Sequence, residues 1–233
     1  MRTLGLIGGT GWVSTLEYYR ALNEGINRRL GGHEACRCIL YSFNFGDIMR
    51  AREADPELRE VRKMVLDAAS RLASGGADGI MLCANTLHWF AEDVEKAIPL
   101  PLIHIARAAA AQINIASLTR VGLLGTRPTM ERDFYRKPLE EAGLEVLVPD
   151  EAERAYIDRT IFDELLQEIF KEETKSRFLE IVEALRLRGA QGVILGCTEI
   201  PLLLKQADCS LPLFDTLRIH VEAGVDWALA KEP

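Results

Sequence analysis

The sequence predicts an α/β protein made of two pseudo-symmetric lobes, each a parallel sheet flanked by helices, with the site in the cleft between them. Three observations carry this expectation. Short continuous apolar runs alternate with longer amphipathic ones, the pattern of strands covered on both faces by helices. The runs end in glycine or polar turns. Three segments also recur in the same order about 110 residues apart.

Thr3–Ile7 reads as the first buried strand, running into Gly8-Gly9-Thr10-Gly11. A helix follows, opened by Ser14 with Glu17 three residues on, a capping-box pattern. Cys38–Phe45 reads as the second strand. Asp55-Pro56 then offers an N-cap and a first-turn proline. Leu58, Val61, Val65, Ala68 and Leu72 follow at helical spacing until Gly75-Gly76 stops the helix. Gly79–Cys83 and Leu100–Ile105 complete four strands. Arg120–Leu124, Leu144–Val148, Gly192–Gly196 and Leu211–Phe214 supply four more, with helices between them such as the one carrying Phe178, Ile181, Val182 and Leu185.

The repeats set the domain organisation. Gly5-Leu6-Ile7-Gly8-Gly9-Thr10 resembles Gly122-Leu123-Leu124-Gly125-Thr126. Gly76–Leu82 resembles Gly189–Leu195, and Leu100-Pro101-Leu102 resembles Leu211-Pro212-Leu213. One such match is noise; three in order indicate a duplicated half. The expected division is residues 1–105 plus 216–233 in one lobe and 106–215 in the other. Ligands of open α/β sheets bind at strand C-terminal ends, so the duplicated turns there are the expected site.

Composition narrows the function. The 233 residues are 48% hydrophobic and 27% charged, enough for a large core, and the formal net charge is −7. That balance disfavours nucleic-acid or anionic-membrane binding, which needs a concentrated positive field. No apolar run reaches 18 residues, so no membrane span is expected. The opening Met1–Gly5 segment lacks the long apolar region of a secretory leader. Five cysteines, an odd number in a chain that needs no staples, point to reduced thiols and a cytoplasmic setting.

Extending the second repeat pairs Cys83 with Gly196, Ala84 with Cys197, Asn85 with Thr198 and Thr86 with Glu199. Both segments leave a strand and enter a polar turn, which offers backbone N–H groups and hydroxyls to a carboxylate. A thiol there gains acidity from the same dipoles.

These residues carry a family resemblance over essentially the whole chain. Gly8-Gly9-Thr10-Gly11-Trp12, Asn85-Thr86, Leu124–Met130, Gly196-Cys197-Thr198-Glu199 and Leu211–Thr216 resemble the aspartate/glutamate racemase superfamily. Asn23–Ile26 and Asp133–Arg136 resemble its broad-specificity amino-acid racemase branch. Glutamate racemases proper usually carry His after the second Cys-Thr, so Glu199 resembles the aspartate racemase side. The resemblance implies two lobes, no cofactor, a homodimer, and one Cys from each lobe flanking the substrate α-carbon. It makes Cys197 the catalytic thiol and Thr10, Asn85, Thr86, Thr126 and Thr198 the substrate contacts. The chain departs from the pattern at Ala84, where the usual first motif has Cys and the broad-specificity branch often has Thr. Strand alternation turns the neighbouring Cys83 toward the core if Ala84 faces the site.

The expected substrate is an amino acid or dicarboxylate, with no metal. Arg52, Arg127 and Arg159 are candidates to grip a second carboxylate. Two alternatives stay open: a single-cysteine decarboxylase of the arylmalonate type, and a non-catalytic amino-acid or dicarboxylate binder. Other signals are weaker. Cys36-x-Cys38 with His33 offers at most three metal ligands at non-standard spacing. Gly9-x-Gly11-x-x-Ser14 with Asp47 lacks the third glycine of a dinucleotide loop. Thr129 is a candidate helix N-cap. His88, His104 and His220 read as structural or surface residues, and Cys209 as incidental.

Overall fold

The computed structural model describes residues 1–55 and 57–230. Their chain divides into two compact units, one of residues 1–104 together with the segment from His220 onward, the other Ile105–Ile219. The first runs β1 (Leu4–Gly8), α1 (Trp12–Leu30), β2 (Cys38–Ser42), α2 (Phe45–Ala54), α3 (Arg59–Ser74), β3 (Gly79–Leu82), α4 (Ala91–Ala97) and β4 (Leu102–Ile103). The second runs α5 (Ile105–Ile115), β5 (Arg120–Gly125), α6 (Arg127–Glu131), α7 (Asp133–Glu141), β6 (Glu145–Leu147), α8 (Glu151–Asp163), α9 (Glu172–Leu187), β7 (Val193–Gly196), α10 (Ile200–Leu203) and β8 (Leu213–Asp215). A final helix, α11 (Thr216–Leu229), starts in the second unit and continues into the first from His220.

Each unit holds one four-stranded parallel sheet, and the two orders are the same: β2-β1-β3-β4 and β6-β5-β7-β8. All eight expected strands are present, and the sheets are flanked by helices as the apolar runs require. In both units the first strand lies between its second and third, so the chain changes direction across the sheet beside the central pair. That switch point is where a crevice opens at the strand C-termini. The central strands are wholly buried: Ile80, Met81 and Leu82 of β3 have no measurable exposure, each contributing about 1.5–3 kcal/mol of burial.

Close packing binds α11 to the first unit. A Cβ on Gly79 would lie 2.6 Å from the Trp227 ring, so bare backbone is what lets the indole reach β3. Trp227 in turn takes the Arg2 guanidinium over its ring at 4.9 Å, and its carbonyl accepts from Arg2 Nη1 at 3.0 Å.

Local expectations needed revision at four helix ends. The first helix starts at Trp12, not Ser14, after Gly11 in a positive-φ conformation (φ 123°). Thr15 ties the turn instead: its hydroxyl accepts from the Gly9 amide at 2.8 Å and donates to the Gly11 carbonyl at 3.2 Å. The second strand stops at Ser42, because the Asn44 side chain accepts from the Gly46 amide at 3.2 Å and starts α2. Asp55 sits at the C-terminus of α2, and α3 begins after Leu58 (φ 58°). The Asp55 carboxylate still accepts from the Glu57 and Arg59 amides at 3.1 and 2.9 Å, while Pro56 lies outside the described residues. Thr129 is inside α6, whose cap position is Thr126. Among the described residues no helix is long and apolar enough to cross a membrane.

Candidate active site

The sequence-predicted residues fall on the C-terminal ends of the central strand pairs, within each unit. In the first unit Thr10 follows β1, and Ala84, Asn85 and Thr86 follow β3; the strands pair in register, Ile7 beside Leu82. Asn85 is buried, whereas Thr10, Ala84 and Thr86 are partly exposed. Gly9 has φ +85°, and a Cβ there would meet the Phe43 carbonyl oxygen at 2.2 Å. Only glycine lets the loop before Thr10 lie against the β2 end. In the second unit Thr126 follows β5 and Cys197-Thr198 follow β7, with Gly125 beside Gly196. A Cβ on Gly125 would lie 2.8 Å from the Gly196 carbonyl, so the two turns approach each other closely. The Thr126 and Thr129 hydroxyls are 3.1 Å apart.

In the second unit the thiol has a partner, Glu199, that the sequence marked as part of the motif without giving it a role. Cys197 is 8% exposed and Glu199 5%. The Cys197 thiol donates to Glu199 Oε2 at 2.9 Å, and the Thr198 hydroxyl donates to the same oxygen at 2.9 Å. Burial, then the charge and the hydrogen bond of Glu199, hold the Cys197 thiol well above its ordinary range; the Glu199 and Thr198 amides work against that rise. The thiol therefore keeps its proton at rest. The available signal was a carboxylate two residues after a cysteine in a turn, where both side chains can fold to one side. Asp215, at the end of β8 beside Leu195, is also pushed up by burial.

The first unit supplies no thiol at the matching turn. Ala84 occupies it, and Cys83 is 2% exposed, its Sγ 3.9 Å from the Met81 carbonyl. Burial pushes the Cys83 thiol up. Behind the turn lie three buried histidines that the sequence left scattered. His88 packs against His104 and His220, with ring centroids 4.7 and 5.6 Å apart. Nδ1 of His88 lies 3.0 Å from the Ala84 carbonyl; a carbonyl only accepts, so that nitrogen carries the proton. Nε2 of His220 lies 2.7 Å from the Ile103 carbonyl and its Nδ1 lies 2.8 Å from the Tyr18 hydroxyl. His220 therefore donates through Nε2 and, when neutral, accepts from Tyr18. Burial lowers His220 to about 4 and drives His88 well down, the neighbouring histidines adding to the latter.

The remaining candidates separate. Arg127 is engaged within its own unit: its amide donates to Asp158 at 2.6 Å and its Nε to Glu131 at 3.0 Å. Arg159 is exposed, 5.9 Å over the Tyr156 ring, and Arg52 is exposed on α2. Asp47 is exposed and ion-paired with Arg50. His33 is exposed beside the half-buried Cys36 and Cys38, and no group of three metal-ligating side chains converges among the described residues.

Comparison with known proteins now decides the family. The Asp/Glu/hydantoin racemase model matches residues 7–224. The chain belongs to that family. It is 26% identical over 171 residues to the broad specificity amino-acid racemase RacX of Bacillus subtilis, covering 73% of this chain and 74% of that one. A crystal structure from Yersinia pestis, provisionally assigned as an Asp/Glu racemase, superposes with a TM-score of 0.93 at 42% identity, covering 99% of this chain and 100% of that one. An aspartate racemase homologue from Pyrococcus horikoshii superposes with a TM-score of 0.83 at 38% identity, with coverage of 99% and 100%.

Proposed function

We propose that this protein is a cofactor-independent amino-acid racemase of the aspartate/glutamate type, with Cys197 the thiol that takes and returns the α-proton. The observation that carries the reading is the buried hydrogen bond from Cys197 to Glu199. A thiol held far above neutral is a poor base until its proton has somewhere to go. Glu199 is that acceptor. Moving the proton from sulfur to carboxylate leaves a thiolate beside a carboxylic acid, so the net charge of the buried pair does not change. The thiolate then takes the α-proton and becomes a thiol again, while the substrate becomes an enediolate-like anion. In this reading Thr10, Asn85, Thr86, Thr126 and Thr198 hold its carboxylate and stabilise the charge that develops there.

Returning a proton to the opposite face falls, in the family pattern, to the position held here by Ala84. With no thiol there and Cys83 in the core, water or a hydroxyl such as Thr86 or Thr10 does that work. Either is a weaker base than a thiolate, so the two enantiomers exchange their α-hydrogens at unequal rates. Ala84 also favours a second reading, a decarboxylase that protonates one face only.

The test is a panel of L- and D-amino acids and dicarboxylates in deuterated water, followed by chiral chromatography, mass and released carbon dioxide. A racemase inverts and exchanges. A decarboxylase releases carbon dioxide, and a binder gives titration heat with neither. Cys197→Ala is expected to abolish exchange in both directions; exchange that survives it removes Cys197 from the mechanism.

A further inference from the structure

His88 holds the first-unit turn through bonds that the strand ladder does not supply. The ladder of β3 ends at Cys83, whose amide donates to the Ile7 carbonyl of β1 at 2.8 Å. The chain then leaves the sheet for a 3₁₀ turn, Thr86–Phe90. The carbonyls of the two residues between are both caught by His88. Its Nδ1 donates to the Ala84 carbonyl at 3.0 Å, and its amide donates to the Asn85 carbonyl at 3.1 Å. Asn85 and Thr86 are the contacts expected for the substrate carboxylate, and Ala84 stands where the family pattern has its first thiol. One residue therefore clamps the backbone that carries all three.

The clamp is itself fixed. His88 is 1% exposed. Its ring lies against those of His104 and His220, with centroids 4.7 and 5.6 Å away. The His220 ring is held at both nitrogens, by the Ile103 carbonyl and the Tyr18 hydroxyl, and Tyr18 meets it edge-on at 5.6 Å. A buried imidazole costs more than an apolar side chain of like size unless its polar atoms are matched, so filling space does not by itself call for histidine here. The Ala84–Asn85 peptide is trans, which puts its N–H opposite its carbonyl. Holding that carbonyl toward His88 turns the Asn85 amide away from the ring. It also sets the directions in which the Ala84 methyl and the Asn85 side chain leave the backbone.

We propose that His88 is a positioning residue, whose Nδ1–H bond to the Ala84 carbonyl fixes the peptide plane of the turn and so the placement of Asn85 and Thr86 against the charge that develops on the substrate. The role rests on the racemase reading above. It needs a donor at the δ position and nothing else of imidazole chemistry, and no proton leaves His88 during the cycle. Asparagine presents its amide nitrogen where Nδ1 stands. Glutamine carries its amide one carbon further out, toward the place of Nε2.

The test compares His88→Asn and His88→Gln with the wild type, on whichever amino acid of the panel the wild type exchanges fastest, with urea unfolding to establish that each variant folds. His88→Gln is expected to lower kcat about 10²-fold, the effect of a misplacement near 1 Å, while His88→Asn stays within about fivefold of wild type. KM should move by no more than about threefold in either, because the lost interaction is made mainly in the transition state. Hydrogen exchange of the peptide spanning residues 83–88 gives a second readout, faster in His88→Gln and near wild type in His88→Asn. Equal kcat in the two variants, both low or both high, overturns the proposal, as does unchanged exchange of that peptide in His88→Gln. If His88→Gln does not fold, His88→Asn decides alone: a folded His88→Asn with kcat about 10²-fold down overturns it. If the wild type moves no α-proton at all, the racemase reading falls, and hydrogen exchange over 83–88 alone decides whether His88 orders the turn.

Discussion

In the proposed reaction two residues, Glu199 and Ala84, each decide one proton transfer. Glu199 accepts from both Cys197 and Thr198, so replacing it with Gln keeps the shape and removes the base. Glu199→Gln is expected to lower turnover by about 10²-fold or more, the usual weight of a general base, with less change in KM. Steady-state kinetics across pH checks this; unchanged turnover would dismiss Glu199 as a proton acceptor. Ala84→Cys restores the thiol of the family pattern, and the exchange rates of the two enantiomers should rise and converge. Rates that stay unequal would mean that position 84 does not address the substrate. Cys197, Thr198 and Glu199 were readable as a motif, because strand, turn and residue types are adjacent in the chain. What could not be read was that Glu199 turns back onto the thiol, since side-chain direction in a turn depends on backbone angles that residue identity leaves open.

Elements were legible where burial dictates composition. The central strands β1, β3, β5 and β7 are short buried apolar runs with glycine or a polar turn beside them, whereas the edge strands β2 and β6 hold no buried residue. Helix starts were less legible. Phe43 and Phe45 extend the apolar look of β2, and only the Asn44 cap shows that the chain has already turned into α2. The histidines lie in three separate segments, and it is α11 docking on the first unit that brings His220 to His88 and Tyr18. Their burial has a pH consequence. An unfolded histidine titrates near 6.5, while folded His220 stands at about 4 and His88 is also depressed. The unfolded chain thus binds more protons between those values, so stability is full above pH 6.5 and falls as pH drops toward 4. The His220 share is on the order of 3 kcal/mol. Urea midpoints at pH 7.5 and 4.5 should show the loss, and His220→Gln should be weaker at pH 7.5 with a shallower pH slope. An equal slope in both proteins would remove the histidines from the acid response.

At the scale of the whole molecule, the duplication was visible as three ordered repeats, and the two sheets carry it as one shared strand order. The units differ in continuity. Ile105–Ile219 is one stretch of chain with its own sheet and a core that includes Val121, Leu123, Tyr135, Phe178 and Ile194. The first unit has its sheet in residues 4–103 but needs Val221, Val225 and Ala228 of α11, all nearly or fully buried. Expressed alone, residues 105–219 are expected to unfold cooperatively in urea, whereas residues 1–104 alone should show no cooperative transition. A sharp transition in the shorter fragment would show that α11 is dispensable to it.

That discontinuity bears on the order of events at the ribosome. Domains ordinarily fold as they emerge, the N-terminal one first. Here the residues made first must wait for His220, Gly224 and Trp227, translated more than a hundred codons after β4. The later-made unit is the first to have all its parts outside the exit tunnel. Until α11 follows, the nascent sheet of the first unit presents Gly79 and Met81, the Trp227 and Gly224 contacts, to solvent and to chaperones.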